Sequence, residues 1–237
     1  MLRPDKTLQR AGARLVSAHE HRGLVLLPQR AAWRAETRTL FVADAHLGKA
    51  ATFRTLGQPA PKGTTRDNLA RLDSLVARFD PQELVFLGDL FHARQAHAPG
   101  VAAAFRAWRG RHAALRLVLV RGNQDLRAGD PPAQFAIELV DEPYDAQGIV
   151  ARHHPLAPDE CPRDGATVLA GHLHPCVRVN GGARDSVRLP CFVLQDRQIV
   201  LPAFGAFTGG ALVRGRKVRT CAVVDDLLLV SAELHGR

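Results

Sequence analysis

Three apolar stretches in the first half of the chain each end at a residue that can bind a metal ion. They have the composition of strands buried on both faces and are residues 39–43 before Asp44, 83–87 before Asp89, and 115–120 before Asn123. Helical patterns at Thr64–Phe79 and 98–112 separate them, which predicts a parallel sheet with right-handed crossovers. Because open α/β sheets gather ligands at the carboxyl ends of their strands, we expect the three polar residues to meet there.

The first of these strands runs into the tripeptide Asp44-Ala45-His46. On an extended backbone, residues two apart project from one face, and a carboxylate beside a neutral imidazole can bind a borderline divalent metal. A single Asp-x-His is more often a surface carboxylate and a capping histidine, so its weight comes from the other motifs. The polar segment 48–63 predicts a loop that forms a wall of the substrate site, with Lys49 and Arg54 as candidate substrate contacts.

The second half of the chain has a different pattern. Short apolar runs separated by Gly, Pro and Asp begin at 136–140 and continue to residue 230, which predicts a second, largely antiparallel or mixed sheet packed against the first. Two of these runs end in histidines, at His153-His154-Pro155 and at Gly171-His172-Leu173-His174. The Gly- and Phe-rich segment 201–210 is either a loop near the site or a packed turn.

Length and composition set the broad class. The 237 residues, 46% of them hydrophobic, can bury a sizeable core, and we treat 1–237 as a single domain that begins with an edge hairpin at 24–27 and 31–33. The chain has no apolar run of membrane-spanning length and no apolar signal core, so we expect a cytoplasmic protein without membrane contact. The four cysteines include no C-x-x-C pair and are expected to be free thiols. A net charge of +9 fits either a polyanionic partner or a genome-wide amino-acid bias.

The ordered motifs form a recognisable set. They are D-x-H, G-D, G-N-x-D, H-H-P and G-H-x-H, at residues 44–46, 88–89, 122–125, 153–155 and 171–174. This set resembles the calcineurin-like metallophosphoesterases. The surrounding residues, at 41–50, 88–94 and 201–210, resemble one bacterial subfamily, the ligase-associated DNA damage response endonucleases of the PdeM type. The resemblance implies an α/β fold: a four-layer α-β-β-α sandwich of two mixed sheets packed face to face, with two metals in its cleft.

The resemblance also implies a ligand set for two ions. One ion would be held by Asp44, His46, Asp89 and His174, and the other by Asp89, Asn123, His153 and His172. Asp89 would bridge cations about 3.5–4 Å apart, and a metal-bridged hydroxide would attack the phosphate. Mixed oxygen and nitrogen ligands suit Mn, the usual choice of the family, as well as Fe or Zn, and Mg stays open. His153 and His154 compete for one ligand position; the family pattern favours His153 and leaves His154 for a hydrogen bond or the substrate.

One position departs from the family pattern. After Asn123 the family usually has a histidine, thought to protonate the leaving oxygen in partnership with the acid at the next motif position, and this chain has Gln124 followed by Asp125. Glutamine can donate a hydrogen bond but cannot release a proton near neutral pH. The candidate catalytic residues are therefore Asn123, Gln124, Asp125 and, as a substitute acid, His92. Otherwise the protein is weak or non-catalytic, or Gln124 is a deliberate replacement.

Three functions stay open at this point. The first is a two-metal phosphodiesterase or endonuclease that cuts DNA in repair, beside a DNA ligase, an exonuclease and a helicase. The second is a phosphatase or phosphodiesterase for nucleotides or other small phosphoesters. The third is a non-catalytic, metal-bearing DNA-binding protein, which Gln124 makes plausible. The pattern does not set the oligomeric state, and a homodimer is left open.

Overall fold

The computed structural model describes residues 14–15, 23–92, 99–157, 160, 165–180, 186–214 and 218–230. The predicted helix start at Ala98 and the cysteine Cys161 lie outside these residues. The described residues form two sheets with helices between the strands of the first. No helix in these ranges is both long and apolar enough to cross a membrane.

The first sheet has seven strands that lie side by side in chain order. They are β1 (Arg14–Leu15), β2 (Leu24–Leu27), β3 (Ala31–Arg34), β4 (Thr39–Val42), β5 (Glu83–Leu87), β6 (Arg116–Val120) and β7 (Ile137–Val140). β1 to β4 pair antiparallel, and β4 to β7 pair parallel. The predicted hairpin and the parallel β-α-β-α-β order are therefore confirmed, but β1, and not the hairpin, lies at the edge of the sheet.

β7 corrects one prediction. The run 136–140 was expected to belong to the second sheet, but it pairs parallel with β6 through registers such as Leu119 with Leu139. Ile137 and Leu139 pack against the apolar cluster beneath the helices. Apolar alternation identifies a strand but does not identify its sheet, because either sheet offers a buried face.

Helices connect the strands of the first sheet. They are α1 (Lys49–Thr55), α2 (Thr64–Phe79), α3 (Pro99–Arg111) and α4 (Asn123–Ala128). The stripe on α2 buries Leu69, Leu72 and Leu75, and α3 buries Phe105 and Trp108, so both helices cover the outer face of the sheet. These side chains form one apolar cluster with the outward residues of the strands.

Two local predictions about helices are wrong. α2 begins after Gly63, whose φ is 87°, and no side chain caps it, so Thr64 is already inside the helix and forms no capping box with Asp67. The segment predicted as a loop at 48–63 begins with α1, because Gly48 supplies the left-handed turn that starts the helix. Only the second part of that segment is irregular.

The second sheet is built from the rest of the chain. Its strands are β8 (Tyr144–Ala146), β9 (Ile149–Ala151), β10 (Thr167–Ala170), β11 (Pro175–Asn180), β12 (Ser186–Leu194), β13 (Gln198–Val200), β14 (Ala211–Leu212), β15 (Arg219–Val224) and β16 (Leu227–Val230). Parallel pairs such as β9 with β10 occur beside antiparallel pairs such as β11 with β12, so the sheet is mixed as predicted.

The two sheets pack face to face. Phe41, Val85 and Val118 of the first sheet share a buried cluster with Leu169 and Phe192 of the second. The predicted α/β class and paired mixed sheets are confirmed. Beyond Phe135 the described residues form strands and loops, apart from Gly165, which lies in a 3-10 turn. A largely antiparallel sheet can leave one face to solvent, and the outer residues of β11 are partly or fully exposed.

Candidate metal centre

The predicted ligands sit on turns with unusual backbone conformations. Five of the seven have positive φ: Asp44, His46, Asp89, His172 and His174, between 44° and 68°. Non-glycine residues in this region are strained, and such strain persists where the surroundings impose it, commonly at functional sites. The sequence argument assumed an extended backbone at Asp44-x-His46, and this detail is wrong, but both side chains still reach one site.

Hydrogen bonds hold the first two ligand turns together. The N–H of Asp44 donates to the carbonyl of Gly88 at 3.2 Å, and the N–H of His46 donates to the carbonyl of Asp89 at 2.9 Å. The turns after β4 and β5 are thereby locked side by side. This is the edge at which the parallel strands were expected to bring their polar residues together.

One group of ligand atoms comes from two distant parts of the chain. Single ligand atoms of Asp44, His46 and His174 all lie within 4.8 Å of one another. His46 Nε2 is 3.2 Å from His174 Nε2, and His174 Nε2 is 3.3 Å from Asp44 Oδ1. These residues, with Asp89, are those predicted for the first ion.

A second group lies beside the first. His153 Nε2 is 3.0 Å from Asn123 Oδ1 and 3.0 Å from His172 Nδ1. The side chain of His153 is fully buried. With Asp89 Oδ1 3.6 Å from His153 Nε2, the structure brings together all four residues predicted for the second ion.

Asp89 lies between the two groups. Its Oδ2 is 3.8 Å from His46 Nε2 on one side, and its Oδ1 is 3.6 Å from His153 Nε2 on the other. Burial raises the pKa of the Asp89 carboxyl, which the nearby His153 and a backbone N–H counteract. A carboxylate with one oxygen toward each group has the geometry of a bridging ligand.

Hydrogen bonds to carbonyl groups orient two of the imidazoles. His153 Nδ1 lies 3.0 Å from the carbonyl oxygen of Leu87, and His174 Nδ1 lies 3.2 Å from that of Gly209. Because a carbonyl can only accept, each Nδ1 carries the proton and each Nε2 keeps its lone pair. The unprotonated nitrogens therefore face the groups described above, as metal-binding histidines require.

The donor set fits a divalent cation. The Asp44 side chain is fully buried, yet its Oδ1 accepts no hydrogen bond from any residue in the described ranges. A buried carboxylate oxygen without a donor is costly unless a cation binds it. Burial lowers the pKa of His46 to about 2, so this imidazole is neutral and able to bind a metal throughout the neutral range.

Three glycines allow the turns to approach this closely. A Cβ added at Gly88 would lie 2.1 Å from His153 Nδ1, and one at Gly122 would lie 2.4 Å from Asp89 Oδ1. At Gly171 the added atom would lie 2.8 Å from Asp44 Oδ2. The glycines before the ligands thus leave space that the side chain of any other residue would fill.

His154 differs from His153 in its surroundings. Its Nδ1 is 2.8 Å from Glu142 Oε1, and its side chain is 44% exposed. A hydrogen bond was one of the two predicted roles of His154. Its ring is close enough to His153 and His172 for the three to hold an ion, but only His153 also contacts Asn123 and lies beside Asp89. The geometry therefore supports His153 as the ligand.

Sequence reasoning missed Glu142 and Asn68, which position the ligand turns. Glu142 Oε2 accepts hydrogen bonds from the backbone N–H groups of His153 and His154 at 2.7 and 2.9 Å. Burial acts to raise the pKa of Glu142, but these bonds and that from the His154 ring lower it. Asn68 donates to the carbonyl of Ala45 and accepts from the N–H of Ala206. Neither residue belongs to a motif, so no signal in the sequence distinguishes it.

The hydrogen bond between the N–H of Ala206 and Asn68 places the segment 201–210 beside the ligand turns. The N–H groups of Phe204 and Gly205 donate to the carbonyl groups of Ala43 and Asp44 at 2.8 and 3.1 Å. Of the two alternatives left open for this segment, the structure favours a loop beside the site.

Gln124 and Asp125 lie in the first turn of α4, next to Asp89. The backbone N–H of Gln124 donates to Asp89 Oδ1 at 2.8 Å. The Asp125 carboxylate accepts from the backbone N–H groups of Gly122, Asp89, Leu90 and Phe91. Both of its oxygens thus accept from backbone N–H groups, so Asp125 holds the ligand turns together. A catalytic partnership of Asp125 with residue 124 stays a prediction. Burial raises the pKa of Asp125 to about 6.

The remaining predicted catalytic and substrate-binding residues are His92, Lys49 and Arg54. The ring centroid of His92 is 5.5 Å from that of His46, and its Nδ1 has no hydrogen-bond partner in the described residues. Lys49 is half-buried and interacts electrostatically with Asp89 and Asp44, while burial lowers its pKa. Arg54 is exposed and donates to the carbonyl groups of Ala60 and Pro61. These bonds give Arg54 a structural role in its own loop, and its contact with substrate stays a prediction.

Comparisons with known proteins identify similar solved structures. Among solved structures, the chain is similar to nuclease MPE of Pseudomonas putida, with 41% sequence identity and a TM-score of 0.75 over 89% of this chain and 96% of that one. It is also similar to Yfce, a phosphoesterase from E. coli, at 18% identity and a TM-score of 0.38 over 80% of this chain and 90% of that one. Comparisons with family models and with curated proteins find no match.

The first of these similarities extends over nearly the whole of both chains. The seven predicted ligands meet in one cleft, and an oxygen of Asp44 there lacks a donor among the described residues. This chain belongs to the metallophosphoesterase family, together with the Pseudomonas putida nuclease MPE.

Proposed function

We propose that this protein is a metal-dependent phosphodiesterase that cuts DNA. The observation that carries the proposal is the convergence of buried carboxylates and imidazoles from distant turns, with Asp89 between the two groups. Similarity to a nuclease at 41% identity supports a nucleic acid as substrate. The net charge of +9 favours a polyanion.

The ligands would hold two divalent cations, with Mn preferred. Asp44, His46 and His174 would bind one and Asn123, His153 and His172 the other, with Asp89 shared. When bound, the cations would supply positive charge to the phosphate and lower the pKa of a water molecule. The chain itself orients the ligand turns through Asp125, Glu142 and Asn68.

The presence of Gln124 determines the rate of hydrolysis that we expect. Glutamine cannot supply the proton that a departing alkoxide needs, and loss of a general acid typically costs about 10²–10⁴-fold in rate. The penalty is larger for the poor leaving group of DNA than for an aryl ester. We therefore expect slow cleavage of DNA and faster cleavage of bis(p-nitrophenyl) phosphate.

The test is cleavage of single-stranded and nicked DNA by the purified protein with Mn²⁺. We expect slow nicking by the wild type, faster nicking by Gln124→His, and none by Asp89→Asn, which serves as the control for contaminating nucleases. Intact DNA with both the wild type and Gln124→His, in samples shown to bind Mn²⁺, would contradict the nuclease function.

The same samples separate the other two functions. A preference for p-nitrophenyl phosphate over bis(p-nitrophenyl) phosphate would favour a phosphatase for small phosphoesters. Binding of DNA and Mn²⁺ without any hydrolysis would favour a non-catalytic DNA-binding protein, the function that Gln124 supports. A role in repair beside a DNA ligase, an exonuclease and a helicase is part of the proposal and rests on the motif resemblance.

A further inference from the structure

A cavity of about 320 Å³ lies next to the metal centre and shares a wall residue, His174, with it. Other walls come from β11, β12, the segment 201–210 and Arg30 in the turn between β2 and β3. We call this cavity the Arg188 pocket, after its most exposed charged residue. Its volume is at the lower end of the range for small-ligand sites, about 300–1,000 Å³.

The pocket is joined rigidly to the candidate ligand His174. The Nδ1–H of His174 donates to the carbonyl of Gly209 at 3.2 Å, and the N–H of Ala211 donates to the carbonyl of His174 at 3.0 Å. A Cβ at Gly210 would lie 3.0 Å from the Cys176 sulfur, so the loop lies close against β11. These contacts fix the walls of the pocket relative to the candidate ligand His174.

The charged groups of the pocket are of one sign. Arg30 and Arg188 line it, and no carboxylate is among its walls. Arg30 is partly buried and donates only weakly, at 3.3 and 3.4 Å, to the carbonyl groups of Ala203 and Gly205. Neither arginine forms an ion pair with a carboxylate in the described part of the chain. Carbonyl groups do not neutralise a guanidinium, so the pocket is suited to an anion.

The positive charge continues beyond the pocket along β11 and β12. Arg178 on β11 is directly opposite Arg188 on β12, and both are exposed. Side chains directly opposite each other lie on the same face, where like charges are destabilising. An anion that contacts this pair would relieve the repulsion. The two arginines thus continue the positive surface away from the pocket, as an extended polyanion would need.

The pocket also offers apolar surface. Pro175, Pro190, Ala203 and Cys176 contribute to its walls. An inorganic phosphate has no apolar surface to place against these residues, whereas a sugar or a base has. A cavity with both apolar walls and guanidinium groups, adjacent to a site for a phosphodiester, suits a nucleotide.

We propose that the Arg188 pocket binds the nucleotide that flanks the scissile phosphate of a DNA strand. The flanking phosphate contacts Arg188, and the sugar or base lies against Pro175 and Pro190. The proposal rests on the proposed function, because it takes the strand at the metal centre to be DNA. The Arg188 pocket would then be a substrate-binding site formed mainly by residues that were not predicted as metal ligands or catalytic residues.

The test measures binding of a fluorescently labelled 12-nucleotide single-stranded DNA by anisotropy, in EDTA, so that hydrolysis does not interfere. Arg188→Glu should weaken binding about tenfold and make its dependence on salt shallower by about one contact. Arg106→Glu on α3 changes the net charge equally on the opposite side of the fold and should alter the Kd by less than about twofold. Ala206→Trp fills the pocket without changing charge and should weaken binding about fivefold.

Equal weakening by Arg188→Glu and Arg106→Glu would overturn the proposal, since the effect would then be one of net charge. Unchanged binding by Ala206→Trp would overturn it as well, because the cavity itself would be irrelevant. Circular dichroism melting curves confirm that each variant is folded. Cleavage with Mn²⁺ on the same samples separates the two proposals: specific binding without cleavage removes only the nuclease function, and cleavage with unaltered binding by both pocket variants removes only the pocket.

Discussion

The carboxylate of Asp125 accepts a hydrogen bond from the backbone N–H of Asp89, with 2.6 Å between the two heavy atoms. Gly122, Leu90 and Phe91 donate to the same carboxylate. One buried side chain therefore joins the turn after β5 to the turn after β6. Because Asp89 and Asn123 are on these turns, Asp125 sets the distance between two predicted ligands.

Asp125→Asn should destabilise the fold and weaken metal binding together. The amide keeps the volume of the carboxylate but replaces one acceptor by an NH₂ group that faces backbone donors. Each buried donor left without an acceptor costs about 1–3 kcal/mol. We expect the free energy of unfolding in urea to fall by about 2–6 kcal/mol for two such donors. Asp130→Asn, at an exposed position, is the control and should change it by less than about 0.5 kcal/mol.

Gly88→Ala should disrupt the site even though the substitution adds one methyl group. The new Cβ would lie 2.1 Å from His153 Nδ1, and the φ of Gly88 is 78°. We expect a loss of at least about 2 kcal/mol in unfolding free energy together with weaker Mn²⁺ binding. Gly110→Ala in α3 has open space around its Cβ and should be neutral or stabilising by up to about 1 kcal/mol. Comparable stability of the two variants would contradict the close packing described for Gly88.

Glu142→Ala should weaken metal binding at His153 without removing a ligand. The backbone N–H groups of His153 and His154 lose their acceptor, so the turn that carries His153 loosens. Outer-shell partners of this kind are worth about 10–100-fold in metal affinity. Titration calorimetry with Mn²⁺ measures the effect. Glu142→Gln keeps one acceptor oxygen and should retain most of the affinity, whereas equal loss in both variants would show that the charge, not the hydrogen bonds, matters.

Asp44→Asn should have effects of opposite sign with and without metal. Asp44 Oδ1 is buried without a donor in the described residues, so removing the charge should leave the metal-free protein as stable or up to about 3 kcal/mol more stable. Mn²⁺ at 100 times its Kd should stabilise the wild type by about 2.7 kcal/mol, and much less in Asp44→Asn. Thermal unfolding with and without Mn²⁺ gives both values. Asp196→Asn, an exposed control, should behave as the wild type.

The thiols of the second sheet should be unreactive in the folded protein. Cys176, Cys191 and Cys221 are buried, and burial raises the pKa of Cys191 to about 12. The thiolate is the reactive form of cysteine. Because its pKa is raised, Cys191 carries very little thiolate at pH 8. With four cysteines in the chain, we expect at most one thiol to react with Ellman's reagent before unfolding and four after it. Rapid reaction of two or more native thiols would contradict the burial.

The sequence indicated the first sheet well because its strands are fully apolar and separated by clear helical periods. Prediction was weaker where the local sequence pattern is compatible with two different structures. Residues 136–140 read as a strand but joined the first sheet, and residues 48–63 read as a loop but began with α1. In both places the competing conformations have similar local preferences, and packing against the apolar cluster decided between them.

Local sequence was enough to predict which residues of this chain can bind metal, since five motifs at strand ends provide carboxylate, amide and imidazole groups in order. The orientation of those groups, in contrast, depends on contacts made in the folded protein. Left-handed turns aim Asp44 and His46, carbonyl groups set the protonated nitrogens of His153 and His174, and Asp125 and Glu142 hold the turns. These contacts join residues far apart in the chain, and local sequence carries no information about a partner that folding alone brings near.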